Sequence, residues 1–225
     1  DIVKAKVGAA AKASPNAVLV IFSNPMDAMC QVAMKASGFP RERVIGQGGA
    51  LDSARYRYFV ADAVGVSVRD VHGYVIGGHT DTTMVPVVSQ TRIGGVPLTD
   101  LLPAEQVHAL VARAMRGGAE IGELYKTGSA YFAPSAATIA MVEAIIMDQR
   151  RLIPCSVYHR GEYGIRDVFS GTVCQLGDGG IQRTFELPLT DDERSRVVAA
   201  SQAARLKGWL ATGLPPWTAA APPPG

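Results

Sequence analysis

Four polar side chains of this chain stand where chemistry could be done: His79, Asp52, Arg55 and Asn24. His79 follows the pair Gly77-Gly78 at the end of an apolar run. A histidine titrates near neutrality, so at a strand end it can serve as general acid and base. A carboxylate bonded to one ring nitrogen would orient the ring and favour its protonated form, and Asp52 is the candidate. Asp52 and Arg55 lie at i and i+3 and so share one helix face. A surface ion pair is the plain reading of that spacing. The small apolar neighbours on that face, with Arg57 and Tyr58 close by, open a second reading. In it Arg55 grips a carboxylate through two parallel hydrogen bonds while Asp52 faces elsewhere. Asn24, in Ser23-Asn24-Pro25, can offer its amide to a ligand oxygen, or else end a strand as a turn. The chemistry these groups suggest is proton transfer at a hydroxyl or carbonyl, with an adjacent carboxylate held by Arg55.

Two other patterns invite a chemical reading and fail it. Gly46-Gln47-Gly48-Gly49-Ala50-Leu51 follows a strand and opens a helix, the outline of a phosphate-cradling turn. Leu51 stands where a third small residue is required, and it would push the helix off both sheet and phosphate. His72, His79 and Asp81 match no standard metal spacing, so no metal is expected.

Groups of this kind gather at the carboxyl ends of strands in an α/β sheet. The elements agree. Residues 2–13 read as a helix stopped by Ser14-Pro15-Asn16. Residues 17–22 are a continuous apolar run, a strand buried on both faces as in a parallel sheet. Residues 26–37 form a helix with Asp27 in its first turn, where the dipole favours an anion, and Gly38 as its stop. A short strand at 44–45 and a helix at 51–64, closed by Gly65, continue the α/β alternation. Residues 71–76 then read as one strand leading to His79. Residues 85–91 and a turn at Gly94-Gly95 follow.

The second half expects a helix at 105–126 interrupted by Gly117-Gly118. A helix at 135–151 comes next, with Ser135 as N-cap and Arg150 and Arg151 at its C-terminal end. Three antiparallel strands at 153–158, 171–176 and 181–187 follow, the last two joined at Gly177-Asp178-Gly179-Gly180. Thr190-Asp191-Asp192-Glu193 is a capping box opening a helix to about residue 210. Residues 208–225 carry no charge and hold five prolines, so the end of the chain is expected to be disordered.

Composition narrows the function classes. A hydrophobic content of 48% with 19% charged residues is that of a chain able to bury a core. The 22 basic and 20 acidic residues leave a net charge of +2, so nothing electrostatic calls for nucleic acid. Cys30, Cys155 and Cys174 are odd in number and far apart, which argues for reduced thiols over a disulfide scaffold or zinc ribbon. No apolar run nears the about 20 residues needed to span a bilayer. A soluble, cytoplasmic protein is expected.

Longer stretches carry a resemblance. SNPMDAMCQVAMKASGFPRERVIG (23–46), ALDSARYR (50–57), GGHTDTTMVP (77–86), GSAYFAPSAA (128–137), GEYGIRDVFSG (161–171) and ELPLTDDE (186–193) occur in this order. They resemble the bacterial malate dehydrogenases that are themselves similar to lactate dehydrogenases, within the lactate/malate dehydrogenase family. The likeness runs from about residue 1 to about 210.

The resemblance implies a fold class: the C-terminal part of a Rossmann-type parallel sheet, then an α+β lactate/malate dehydrogenase C-terminal domain. Residues 1–25 would be a remnant of the NAD-binding domain. Residues 26–210 would form the substrate domain, with 26–50 bridging the two, and 211–225 a Pro-rich tail. It implies His79 as the catalytic acid–base, Asp52 as its carboxylate partner and Arg55 as the fork for a substrate carboxylate. Asn24 would contact substrate and nicotinamide ribose, and Phe22 and Ser23 would line the nicotinamide. The cofactor implied is NAD, the substrate a small dicarboxylate, the reaction malate to oxaloacetate, and the assembly a homodimer or homotetramer.

Against that pattern the chain departs in several places. It holds no G-x-G-x-x-G turn and no arginine-bearing substrate loop, so it is expected to be N-terminally truncated and inactive alone. Thr80 stands where the family has Gly, and the run from His79 to Pro86 is one residue longer. Thr takes positive φ only at a cost, which raises the expectation of a displaced His79. A lactate or other 2-hydroxyacid dehydrogenase is the near alternative. A non-catalytic remnant keeping only subunit contacts, through helices such as residues 139–147, is the alternative from another class.

Overall fold

The fold is seen in a computed structural model, which describes residues 2–127 and 130–213. The expected Pro-rich tail lies, from residue 214 onward, outside the described residues. Helix α1 (Ile2–Ala13), strand β1 (Leu19–Ile21), helix α2 (Met26–Ser37), strand β2 (Val44–Gly46) and helix α3 (Gly48–Val64) open the chain. Gly38 and Gly65 end α2 and α3 in the left-handed conformation at φ 67° and 75°, which a residue with a Cβ adopts poorly. Strands β1 and β2 pair in parallel. β1 is shorter than its apolar run. It feeds two cores, Leu19 and Ile21 joining the cluster under α1 and α2, Val18 and Val20 the cluster around Ile45, Cys155 and Cys174.

The stretch 71–76 is not one strand. It splits into β3 (Val71–His72) and β4 (Val75–Gly77), which belong to different sheets. The break is at Gly73, where a Cβ would lie 3.0 Å from the Tyr56 ring. Ser53 of α3 then accepts the Val75 N–H at 2.8 Å and starts β4 on its own line. Residues 85–91 likewise divide, into β5 (Met84–Pro86) and a short 3-10 turn (Val88–Gln90). Strands β6 (Arg92–Ile93) and β7 (Val96–Pro97), joined at Gly94-Gly95, complete a small antiparallel sheet with β3.

Helices α4 (Leu98–Leu101), α5 (Ala104–Tyr125) and α6 (Phe132–Ile146) follow. α5 runs unbroken through Gly117 and Gly118, contrary to the expected interruption. α6 begins before Ser135, which therefore does not cap it, and Arg151 opens strand β8 (Arg151–Arg160) instead of closing a helix. β8 pairs with β9 (Arg166–Gly177) and β9 with β10 (Gly180–Phe185), all antiparallel; β8 and β9 are longer than their expected spans, while β10 stops at Phe185, short of 187. α7 (Asp191–Thr212) starts on the expected capping box, with both the Thr190 and the Glu193 hydrogen bonds made.

The main sheet runs β1-β2-β8-β9-β4-β5, with β10 on β9. Its centre is a single row of paired residues, Gly46 of β2, Ser156 of β8, Gly171 of β9 and Gly77 of β4. The last residues of β2 and β4 thus meet across the β8–β9 hairpin. Everything that follows β2 and β4 in sequence is delivered to one place. Among the described residues no helix is long and apolar enough to cross a membrane.

Glu162 fastens the far end of that hairpin. Its Oε1 accepts from Arg41 Nη1 at 2.9 Å and from the Thr184 hydroxyl at 3.1 Å, and its Oε2 from the Arg160 N–H at 2.6 Å. Burial works against the anion, but these donors hold its carboxyl down, from 4.5 to about 2. A depressed carboxylate stabilises the fold above its unfolded pKa and loses that contribution as pH falls. Glu162→Gln is therefore expected to cost about 2 kcal/mol at pH 7. In urea melts the gap between variant and parent should close from about pH 4.5 towards pH 2; a gap independent of pH would refute this role.

Candidate active site

His79 leaves β4 through Gly77, which sits at φ 83°, and Gly78. The loop after it closes on itself. Gly78 N–H donates to the Thr83 carbonyl at 2.9 Å, and the N–H groups of Thr83 and Met84 both donate to the Thr80 carbonyl at 3.0 Å. The Thr80 and Thr83 hydroxyls bond at 2.6 Å. Thr80 does not take positive φ. The strain expected at Thr80 does not arise, and His79 reaches its expected carboxylate partner. Its Nδ1–H donates to Asp52 Oδ2 at 2.7 Å.

That bond assigns the tautomer. With Nδ1 engaged, Nε2 is the nitrogen left for acid–base work. Burial disfavours the charged ring, yet the Asp52 hydrogen bond and charge, helped by Asp27, outweigh it and raise the His79 pKa above its ordinary value.

Asp52 is 2% exposed on α3. Its Oδ1 is buried with no hydrogen bond, 3.8 Å from Arg55 Nη1, and Arg55 Nε is buried and unpaired as well. Burial pulls the Arg55 pKa down against the pull of Asp52 and Asp81. Unpaired buried polar atoms are costly; of the two residues, Arg55 brings the donors that a ligand oxygen needs and Asp52 Oδ1 only accepts. Gly117 and Gly118 of α5 make room for the guanidinium. A Cβ at Gly117 would lie 3.3 Å from Arg55 Cδ, and one at Gly118 3.6 Å from Nη1. The glycine pair that looked like a helix interruption is the floor under Arg55.

His79, Asp52 and Arg55 line a cleft of about 730 Å³ together with Phe22 and Asn24 after β1, Tyr131 just before α6, and Ser135 and Thr138 of α6. Phe22 is 61% exposed. Of the six residues singled out from sequence, the structure gathers Phe22, Asn24, Asp52, Arg55 and His79 on one cleft, while Ser23 does not line it. The surface-pair reading of Asp52 and Arg55 is thereby replaced.

Three residues escaped the sequence reading. Gln47 is buried and donates from Nε2 to the Pro134 carbonyl at 2.9 Å, tying α6 to the site. Asp27, read only as a helix-start acid, accepts the His79 N–H at 3.3 Å. Gly48 lies under the imidazole, where a Cβ would come 2.5 Å from Cγ and 2.6 Å from Nδ1. Its neighbours Gly46 and Gly49 are pressed on Ser156 and Pro154. The glycine-rich turn serves close packing, not phosphate, and a glycine tolerated at a helix start was the one signal available. Among the described residues no three His, Cys, Asp or Glu side chains could hold a metal.

Comparison with known proteins places this geometry. The description "lactate/malate dehydrogenase, NAD binding domain" matches residues 1–46, and "lactate/malate dehydrogenase, alpha/beta C-terminal domain" matches residues 49–214. The chain belongs to the lactate/malate dehydrogenase family. The malate dehydrogenase of Roseiflexus sp. (strain RS-1) is 49% identical over 203 residues, 90% of this chain and 65% of that protein. The structure of Salinibacter ruber malate dehydrogenase superposes with a TM-score of 0.89 at 39% identity, covering 92% of this chain and 67% of that one. That of Cryptosporidium parvum lactate dehydrogenase, complexed with lactic acid and nicotinamide adenine dinucleotide, does so at 0.91 and 34%, covering 95% and 69%. This chain therefore spans about 65% of the curated relative's length. The fold class expected from the sequence is the family's.

Gly48→Ala tests the packing beneath the ring. The added methyl must move the imidazole and break its bond to Asp52. A raised histidine pKa stabilises the fold below the unfolded value and ceases to do so as pH rises through the folded one. The variant should lose more stability at pH 6 than at pH 9, and the His79 titration midpoint, read by NMR, should fall. An unmoved midpoint would refute the contact.

Proposed function

We propose that this chain supplies the acid–base and carboxylate-binding part of an NAD-dependent malate dehydrogenase, interconverting (S)-malate and oxaloacetate. One observation carries the reading: the His79–Asp52 bond of 2.7 Å, with Arg55 beside it on the same cleft and its Nε unpaired. In malate oxidation neutral His79 accepts the C2 hydroxyl proton at Nε2, and Asp52 steadies the imidazolium that forms. Arg55 takes the C1 carboxylate on the planar fork of its guanidinium, a geometry lysine does not offer. Asn24 steadies the oxygen at C2.

NAD, when bound, supplies the hydride acceptor. Phe22, Ser23 and Asn24 would hold its nicotinamide end, and the open apolar rim at Phe22 suits a flat ring. On this reading residues 1–25 belong to the cofactor domain and 26–210 to the substrate domain. The matched families support the cofactor, and identities of 46–51% to curated malate dehydrogenases favour malate over lactate.

The same reading makes the protein a homodimer or homotetramer. The apolar side chains Ile139, Val142 and Ile146 stand exposed on α6, with Met147 just beyond it. Its proposed place is the cytoplasm, whose reducing conditions suit three buried free cysteines.

Joining the upstream part of the Roseiflexus relative to residue 1 tests this. The chimera should oxidise NADH with oxaloacetate in preference to pyruvate, and His79→Asn should lower kcat by about 10³-fold. Oxaloacetate reduction should fall, and malate oxidation rise, as pH passes the raised His79 pKa, and Asp52→Asn should move both limbs to lower pH. Full activity in His79→Asn refutes the assignment, and a preference for pyruvate makes it a lactate enzyme. The 225-residue chain by itself should turn over neither substrate.

A further inference from the structure

The acid–base reading leaves one carboxylate beside His79 without a task. Asp27 stands in the first turn of α2, half-buried, and is held at both oxygens. Oδ2 accepts the backbone N–H of His79 at 3.3 Å, and Oδ1 accepts the Ser156 hydroxyl at 2.6 Å. Ser156 is the one residue of the central sheet row with a side chain beyond hydrogen, flanked there by Gly46 and Gly171. Asp27 therefore connects the sheet row to the backbone of the histidine itself. Asp52 fixes the ring and Asp27 fixes the residue that bears it.

We propose that Asp27 is a positioning residue for His79, anchoring its backbone to Ser156 and acting as a second carboxylate that favours the protonated ring. The proposal rests on the reading of His79 as the acid–base group. The charged groups around the ring come from four elements. Asp52 and Arg55 belong to α3, Asp27 to α2 and Asp81 to the histidine's own loop. Lys207 of α7 lines the small crevice that also touches Asp27 and His79.

With His79 protonated, the inner four (Asp27, Asp52, Arg55, His79) sum to zero; with it neutral they sum to minus one. Removing Asp27 makes the first state positive and the second neutral, so the proton is held less tightly. Burial raises the Asp27 carboxyl while its two donors and His79 pull it down. Each group's charge therefore bears on the other's titration.

The test uses the 225-residue chain with labelled histidine and aspartate, and needs no turnover. Asp27→Asn keeps an oxygen for the His79 N–H and removes the charge. With the backbone spectrum otherwise native, the His79 midpoint should drop by about half a pH unit, a roughly threefold loss of proton affinity. Asp52→Asn should lower it further.

A midpoint unchanged in a folded Asp27→Asn chain overturns the proposal, because a merely structural acid would lower stability and leave the titration alone. Should that variant not fold, the parent answers instead. The Asp27 carboxyl carbon must shift at the His79 midpoint, and a carbon that senses only its own titration overturns the proposal. A chimera inactive with oxaloacetate would count against the dehydrogenase reading and leave these midpoints untouched.

Discussion

The row Gly46–Ser156–Gly171–Gly77 is the constraint from which the site follows. Two strands that belong to different parts of the sheet end there, one on each side of the β8–β9 hairpin. Their backbones can approach only because side chains are missing. A Cβ on Gly171 would stand 2.8 Å from the Gly77 carbonyl oxygen, and one on Gly46 2.7 Å from Ser156 Cβ. β2 then hands the chain to Gly48 and α3, and β4 hands it to Gly78 and His79. Asp52 lies one helical turn into α3, which is the distance that brings its carboxylate to the imidazole. The pairing of His79 with Asp52 is thus a consequence of how the sheet closes. Neither residue searches for the other.

Electrostatics then turns proximity into chemistry. A lone buried carboxylate such as Asp52 is expensive. Here one oxygen is satisfied by the imidazole and the other faces a guanidinium at 3.8 Å, too long for a good hydrogen bond. The arrangement is stable enough to fold and incomplete enough to bind. Arg55 Nε and Asp52 Oδ1 stay unpaired, the kind of local cost that folds retain at functional sites and offset elsewhere. The four apolar clusters provide that offset, and all of them draw on the strands that carry the row.

Much of this was legible in the residues, and what was not has a physical reason. His79, Asp52, Arg55 and Asn24 announced themselves because histidine at a strand end and charges at helical spacing are local patterns. The helix caps at Gly38, Gly65 and Thr190 were local too. The strand break at Gly73 was hidden because its cause, the Tyr56 ring, comes from a helix earlier in the chain. The same holds for Gly117 and Gly118. By helix propensity they read as weakness, while in space they are clearance for an arginine about 60 residues away in sequence. Asp27 read as a favourable charge on a helix dipole, and its partners lie 52 and 129 residues off. Local rules found the groups proposed to react; only three-dimensional contact could find the groups that hold them.

This division bears on what the chain can preorganise. Every contact that places His79 and Asp52 comes from α2, α3, β2, β4, β8 and β9, all within the described residues. Arg55 rests on α5, and Gln47 ties α6 to the same floor. Gln47 also donates its backbone N–H to the Ile21 carbonyl at 2.9 Å, next to Phe22 and Ser23, whose side chains stand exposed beyond β1. On the proposed reading, acid–base chemistry and carboxylate recognition rest on these packed elements, where a fraction of an ångström matters to proton transfer. Under that proposal the site keeps its reacting groups in register before anything binds, with the exposed Phe22 and Ser23 left for the cofactor.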